Sequence, residues 1–208
     1  MKDLINSIQN LKNSEIAQVI NSRMEEFSEI KKRSIQEIFV ELCFCIMTAN
    51  CGAEKCIEIH DLIGSDFLNL SEESLVNKFK EYGYRFPNVR ANYIINARSC
   101  LKQLSEILFS SEDRLTLRHN LVKTIKGLGY KESSHFLRNI GFTNYAIIDF
   151  HIVDLLQKYN LIEKPKTMTK RKYHEIEEVL MSLGEDLNLN MAELDLYLWY
   201  LETGKVLK

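Results

Sequence analysis

The chain has 208 residues, of which 45% are hydrophobic and 27% are charged, and its formal net charge is −2. This composition predicts a folded globular protein with one large domain or two small ones. It excludes a uniformly basic protein that coats DNA, so any nucleic-acid-binding surface must be local.

Helical periodicity dominates the N-terminal part of the chain. Apolar residues recur on one face between Ile16 and Phe27, which predicts an amphipathic helix. Ser34 and Glu37 then form a capping-box pattern before the stretch IFVELCFCIMTAN. That stretch is apolar nearly all round, so we predict a central buried helix there.

The remainder of the chain also has helical start and stop signals. A glycine follows each of several periodic stretches, as helix C-caps do: Gly64, Gly83, Gly141, Gly184 and Gly204. Asn190 and Glu193 predict the start of a last helix. The segment YAII at 145–148 fits either a short strand or an extended connection. We predict an all-α protein with about ten helices, in which residues 1–30 plus 145–208 form one lobe and 31–144 the other.

The segment 115–141 predicts a helix, a glycine hairpin and a second helix. Gly127 and Gly129 allow a tight turn that exposes backbone amides, and Leu128 is expected to anchor the turn in the core. These amides and the positive end of the second helix could hold a DNA phosphate. An ordinary αα-hairpin without function explains the same local pattern.

Two charged residues favour chemistry at this hairpin. Lys131 lies at the start of the second helix, where the helix dipole disfavours a protonated amine. A free amine is what nucleophilic attack requires. Asp149 follows eighteen positions later as a predicted N-cap, and the intervening chain is long enough to bring the two helix starts together. The alternatives are a phosphate-binding lysine and an aspartate that only caps its helix.

At these residues the chain resembles the helix-hairpin-helix superfamily of DNA glycosylases. It is most similar to the archaeal-type 8-oxoguanine DNA glycosylase/AP lyases. Five stretches carry the resemblance along nearly the whole chain: ELCFCIMTAN, GYRFPNVRANYI, GLGYKESSHFLRN, AIIDFHI and ELDLYLWYLETGKVLK. The resemblance implies a two-lobed fold with the active site in the cleft between the lobes.

The resemblance also implies roles for individual residues. Lys131 would be the nucleophile that forms a Schiff base with the sugar, and Asp149 would assist its attack. Trp199 and the carboxylate of Lys208 would recognise the extruded base. The implied DNA contacts are made by Asn50, Arg85, Phe86, Gly127, Gly129 and His151. A solvated His151, a Trp199 packed in the core, a frayed Lys208 and a Phe86 packed in its loop are the alternatives.

The implied partner is duplex DNA containing 8-oxoguanine, and a monomer would suffice. No metal or organic cofactor is needed, because the lysine supplies the covalent chemistry. The chain departs from the family pattern at Lys55, Cys56 and Phe150, and the last departure weakens one expected phosphate contact. Two alternatives stay open: a glycosylase for another oxidised base, and a DNA-binding module without catalysis.

The sequence contains other patterns with less specific meanings. Cys43, Cys45, Cys51 and Cys56 could suggest a metal site, but their spacing favours buried apolar residues. Lys123, Lys126, Arg138 and the basic run at 164–172 could add phosphate contacts. The longest nearly apolar run, residues 38–49, is too short to cross a bilayer, and no secretory signal is visible. We therefore expect a cytoplasmic protein, associated with the nucleoid through DNA.

Overall fold

The computed structural model describes residues 2–110 and 112–208, and in these ranges every regular element is a helix. The predicted all-α class is therefore confirmed. Twelve α-helices occur within the described ranges, together with a short 3-10 helix at Gly64–Leu68. They are α1 (Lys2–Lys12), α2 (Ile16–Ile30), α3 (Ile35–Thr48), α4 (Ala53–Ile63), α5 (Glu72–Glu81), α6 (Pro87–Ser99), α7 (Leu101–Leu108), α8 (Arg114–Thr124), α9 (Tyr130–Asn139), α10 (Phe150–Lys158), α11 (Lys170–Leu187) and α12 (Met191–Thr203).

The chain divides into two compact units. The first unit contains Met1–Glu29 and Leu137–Lys208, and the second contains Ile30–Phe136. The division falls inside α9, whereas the lobe boundary predicted from the sequence lies near residue 144. The assignment of lobes to 1–30 plus 145–208 and to 31–144 stays a prediction.

Helix α3 is the centre of the second unit. The predicted capping box is present: Ser34 Oγ accepts from the Glu37 amide, and the Glu37 carboxylate accepts from the Ser34 amide at 3.0 Å. Nearly all residues from Ile38 to Thr48 are buried, because α4, α6, α7 and the 3-10 helix pack around this helix. The prediction of a central buried helix is confirmed.

The first unit packs α1, α10, α11 and α12 together. The segment at 145–148 enters this unit as a buried, extended connection and not as a strand. Side chains of α11 bond to its backbone, since the Ala146 amide donates to Glu177 at 3.2 Å and the Ile148 amide donates to the Tyr173 hydroxyl at 3.3 Å. The Tyr173 hydroxyl in turn donates to the Ala146 carbonyl at 2.7 Å. These bonds fix the chain directly before α10.

One of the predicted glycine C-caps is wrong. Gly184 lies inside α11, which continues to Leu187 and ends at Asn188 in the left-handed conformation. A Cβ at position 184 would lie 2.5 Å from the Met191 side chain and 2.9 Å from the Leu189 carbonyl oxygen. Glycine is therefore required by the close approach of α12, a contact that the local pattern does not reveal. The other four glycines have positive φ and follow helices, as predicted.

The five cysteines are free thiols, and Cys43, Cys45 and Cys56 are buried, as expected for small apolar residues. Cys51 and Cys100 are half-buried. No group of three potential metal ligands occurs in the ranges 2–110 and 112–208. In the same ranges, no helix has the length and apolar character that crossing a membrane would require.

Candidate active site

The second unit contains the predicted helix-hairpin-helix. Helix α8 ends at Thr124, α9 begins at Tyr130, and Gly127 between them has a φ of 94°. Leu128 is only 5% exposed, so it anchors the turn in the core as predicted. Helix α9 is held against α8 by Arg118, which is fully buried. Its guanidinium donates to the Ser134 hydroxyl at 3.1 Å and lies 5.2 Å from the centre of the Tyr130 ring.

The hairpin amides are less free than the sequence suggests. The Leu128 amide donates to the Ile125 carbonyl at 3.2 Å, and the Gly129 amide donates to the Glu132 carboxylate at 3.2 Å. A phosphate that binds the Gly129 amide must therefore first displace the Glu132 carboxylate. Because Glu132 has a flexible side chain, this displacement requires no change in the backbone.

The two hairpin glycines are expected to differ sharply in their tolerance of alanine. At Gly127 the φ is positive, and a new Cβ would lie 2.3 Å from the Tyr93 ring. Gly127→Ala should therefore lower the free energy of unfolding by about 2 kcal/mol and weaken duplex binding. At Gly129, the one atom of the described residues within 4 Å of a new Cβ is an oxygen of the Glu132 carboxylate, 3.0 Å away, at the end of a flexible side chain. Gly129→Ala is the matched control, and denaturant unfolding with both variants measures the difference. Equal losses at the two positions would contradict this account.

Lys131 is the second residue of α9, as predicted, and it is half-buried. Its charge acts on the Cys56 thiol in the same unit. Burial and the neighbouring Cys51 raise the pKa of Cys56, whereas Lys131 acts in the opposite direction. Cys56 therefore remains a neutral thiol at neutral pH, and a neutral thiol is a poor nucleophile.

Asp149 belongs to the first unit and caps α10, as predicted. One carboxylate oxygen accepts from the Ile152 amide at 3.0 Å. The residue is half-buried, and the buried connection that precedes it fixes its backbone. The second carboxylate oxygen is not required for the cap, so it could interact with a ligand at the same helix end.

The aromatic residues of the first unit are arranged as a row beside this helix start. The Trp199 ring packs edge-on against His151, with 5.0 Å between ring centres. The Phe150 ring also contacts His151, with 3.9 Å between ring centres, and Phe150 is 67% exposed. Trp199 is half-buried, so it is not a core residue like its leucine neighbours. Its indole nitrogen is buried and has no hydrogen-bond partner among residues 2–110 and 112–208. Lys208, after the end of α12, is also half-buried.

Asn50, Arg85 and Phe86 lie in the second unit on two segments next to α6. Asn50 is exposed and left-handed, with a φ of 59°, directly after the C-terminal end of α3. Arg85 is exposed, and its guanidinium lies 4.9 Å from the centre of the Phe86 ring.

Arg90 and Tyr93 were missed by the sequence reasoning, although they contact these segments. Phe86, Arg90 and Tyr93 have i, i+4, i+7 spacing, which places them on one helical face. This cation between two aromatic residues is the signal that could have revealed them.

The expectation of a phosphate contact at Arg138 is wrong. Arg138 is 4% exposed and pairs with Asp195 at 3.4 Å. Its guanidinium also lies 4.7 Å from the centre of the Phe27 ring, so its role is to join helices within the first unit.

Lys123 and Lys126 are exposed, as phosphate contacts require. In the basic run, Lys164 pairs with Asp154, and Lys172 pairs with Glu175 at 2.7 Å.

Comparison with known proteins identifies the family. The sequence model described as 8-oxoguanine DNA glycosylase matches residues 20–189. The 8-oxoguanine DNA glycosylase/AP lyase of Methanocaldococcus jannaschii is 52% identical, with 99% of both chains covered. The protein of the same description from Korarchaeum cryptofilum is 49% identical, covering 99% of this chain and 98% of its own.

Solved structures agree with this identification. A crystal structure of the Methanocaldococcus jannaschii 8-oxoguanine glycosylase/lyase in complex with 15mer DNA containing 8-oxoguanine matches with a TM-score of 0.95. The two sequences are 51% identical, and 99% of each chain is covered. The 8-oxoguanine DNA glycosylase of Thermotoga maritima matches with a TM-score of 0.93 at 37% identity, covering 100% of this chain and 99% of its own. On this evidence the chain belongs to the helix-hairpin-helix family of 8-oxoguanine DNA glycosylases.

Proposed function

We propose that this protein excises 8-oxoguanine from duplex DNA and then cleaves the resulting abasic site by β-elimination. The observation that carries the proposal is the identity of about half of all residues, over the full chain, with relatives described as 8-oxoguanine DNA glycosylase/AP lyase. The local features that support it are a hairpin lysine at the start of α9 and an aspartate at the start of α10.

The proposed chemistry uses two side chains. The Lys131 amine attacks C1′ of the damaged nucleoside, the bond from C1′ to the base breaks, and the base leaves with the bonding electrons and gains a proton. The covalent product rearranges to a Schiff base, which permits β-elimination of the 3′ phosphate. The Asp149 carboxylate assists the attack and stabilises the positive charge that develops on the sugar.

The proposed recognition of the base uses the C-terminal segment. The Trp199 ring offers an aromatic face for stacking, and the carboxylate of Lys208 offers acceptors. Guanine has no hydrogen on N7, whereas 8-oxoguanine has one, so an acceptor near this atom discriminates the two bases. Deletion of Lys208 would then impair excision of 8-oxoguanine more than cleavage of an abasic site.

The remaining proposed contacts position the duplex. Phe86 fills the gap left by the extruded base, and Arg85 touches the opposite cytosine. Asn50 lies near this gap, and His151 contacts the backbone. Gly127 and Gly129 bring hairpin amides to a phosphate. We propose that the protein acts in this way as a monomer in the cytoplasm, on nucleoid DNA.

A panel of end-labelled duplexes tests the proposal. The first duplex carries 8-oxoguanine opposite cytosine, and the second carries an oxidised pyrimidine opposite its natural partner. The third carries the undamaged base at the same position. Strand cleavage selective for 8-oxoguanine is the expected result. Selective cleavage at the oxidised pyrimidine would reassign the lesion and keep the enzyme class. Equal affinity for all duplexes without cleavage would leave only a DNA-binding module.

A further inference from the structure

Three segments of the second unit carry proposed DNA contacts, and they are far apart in the sequence. They are the end of α3 with Asn50, the start of α6 with Arg85 and Phe86, and the hairpin with Gly127. The proposed function requires these segments to keep a fixed arrangement, because a misplacement of about 1 Å can cost about 100-fold in rate. The contacts of Arg90 on α6 explain how this arrangement is kept.

Arg90 reaches the end of α3 through a hydrogen bond. It is 8% exposed, and its Nη2 donates to the Ala49 carbonyl at 2.7 Å. Ala49 is the C-cap of α3, with a ψ of 111°, so its carbonyl points out of the helix. The last carbonyls of a helix lack internal partners, and a cation is favoured beside them. Arg90 thus fixes the backbone of the residue directly before Asn50.

A second contact at this helix end comes from Tyr84. Its hydroxyl donates to the Met47 carbonyl at 2.6 Å. Burial raises the pKa of Tyr84, so the hydroxyl remains a neutral donor. Both donors come from the segment 84–90, and together they tie the end of α3 to the start of α6.

The Arg90 guanidinium also lies near two aromatic rings. Its guanidinium carbon is 5.6 Å from the centre of the Phe86 ring and 5.5 Å from the centre of the Tyr93 ring. Both distances are within the range of cation–π attraction. A buried cation therefore lies beside Phe86, the proposed wedge.

Tyr93 extends these contacts to the hairpin. Its ring lies so close to Gly127 that a Cβ there would approach Cδ2 to 2.3 Å. The Lys126 ammonium lies 5.6 Å from the centre of the same ring and 3.4 Å from the Asn92 side-chain oxygen. The hairpin backbone thus rests on Tyr93, and Tyr93 rests on Arg90.

We propose that Arg90 is a positioning residue that holds the Asn50 segment, the Phe86 wedge and, through Tyr93, the hairpin in one arrangement before DNA binds. The inference rests on the proposed function of these segments. Lysine is not expected to replace Arg90, because its compact ammonium lacks the extended planar guanidinium that reaches the Ala49 carbonyl and both rings at once.

Arg90→Lys tests the proposal, and Arg98→Lys is the matched control. Arg98 lies on the same helix and also donates to backbone carbonyls, those of Phe67 and Leu70, and these hydrogen bonds reach none of the three segments. Four quantities are compared: the melting temperature, affinity for undamaged duplex, the single-turnover rate on 8-oxoguanine, and the cleavage of a preformed abasic site. Fluorescence of 2-aminopurine beside the lesion reports base extrusion.

The expected result separates the two variants. Arg90→Lys should remain folded, with duplex affinity and excision each lower by about tenfold or more and a weaker 2-aminopurine signal. The rate of cleavage of a preformed abasic site, measured at saturating protein, should differ from the wild-type rate by less than about threefold, because this substrate has no base to extrude. Arg98→Lys should lower the melting temperature about as much as Arg90→Lys does. It should leave duplex affinity and the excision rate near those of the wild type.

Two results would overturn the proposal: wild-type affinity and fluorescence in Arg90→Lys, or equal losses in both lysine variants. If Arg90→Lys fails to fold, Tyr93→Leu removes the link to the hairpin, and unchanged duplex affinity in that variant would overturn the proposal as well. A wild-type protein that excised nothing would instead contradict the proposed function. In that case the duplex affinities would still decide the role of Arg90.

Discussion

Replacing Lys131 by glutamine is expected to lower single-turnover excision of 8-oxoguanine by on the order of 1,000-fold or more. Glutamine keeps a long polar side chain but has no nucleophilic amine, so the covalent step cannot begin. Lys131 is half-buried on the first turn of α9. Its replacement should therefore change the free energy of unfolding by less than about 1 kcal/mol. Rapid-quench kinetics with enzyme in excess measure the rate.

The matched control for this variant is Lys126→Gln. Lys126 is exposed on the same hairpin, and its replacement makes the same change in charge. We expect this control to weaken duplex binding and its salt dependence while leaving the rate at saturating enzyme near wild type. If Lys131→Gln kept the wild-type rate, or if both variants lost only affinity, Lys131 would be a phosphate-binding residue.

Replacing Asp149 by asparagine is expected to lower excision by on the order of 100-fold to 10,000-fold while preserving the fold. Asparagine and aspartate are about equally good N-caps, so the side chain can still accept from the Ile152 amide. Only the negative charge is lost, together with its ability to assist the amine and stabilise the charged sugar. Single-turnover kinetics and thermal unfolding of the same preparation measure the two effects.

Asp113→Asn controls for the loss of a capping charge. Asp113 caps α8 and accepts from the Leu115 and Thr116 amides at 2.8 and 3.1 Å. Hydrogen bonds from the Thr116 side chain and amide lower the pKa of this carboxyl, so its contribution to stability is present at neutral pH and is lost as the pH falls through the lowered value. Equal losses of activity in Asp113→Asn and Asp149→Asn would reduce the role of Asp149 to capping.

The local features of the fold could be predicted because their causes lie within a few residues. Ser34 with Glu37, Asn190 with Glu193, and the Asp149 cap each depend on contacts across two or three positions. The hairpin at Gly127 likewise depends on a single positive φ between two periodic segments. Such signals do not require knowledge of the tertiary structure.

The features that escaped prediction depend on distant residues. Gly184 is required by Met191 and Leu189 on the following segment, although locally it resembles a helix end. Arg138 is a conventional basic surface residue in the sequence, but Asp195 and Phe27 bury it. Arg90 gains its role from a hydrogen bond to Ala49, which is 41 positions away. Folding alone brings these partners together.

The comparison of Gly127→Ala with Gly129→Ala involves both local features and features that depend on distant residues. The positive φ of Gly127 is visible in the sequence pattern, whereas its contact with Tyr93 is not. A large effect at Gly127 and a small one at Gly129 would therefore show that tertiary contact, and not only turn geometry, shapes this hairpin.

Borohydride trapping on a duplex with 8-oxoguanine opposite cytosine tests directly whether Lys131 attacks the sugar. Borohydride reduces a Schiff base to a stable bond, so a covalent protein–DNA product reports attack by an amine. We predict such a product with the wild-type protein, its mapping to the peptide that contains Lys131, and its absence in Lys131→Gln. No product with the wild type, or an undiminished product with Lys131→Gln, would contradict the account.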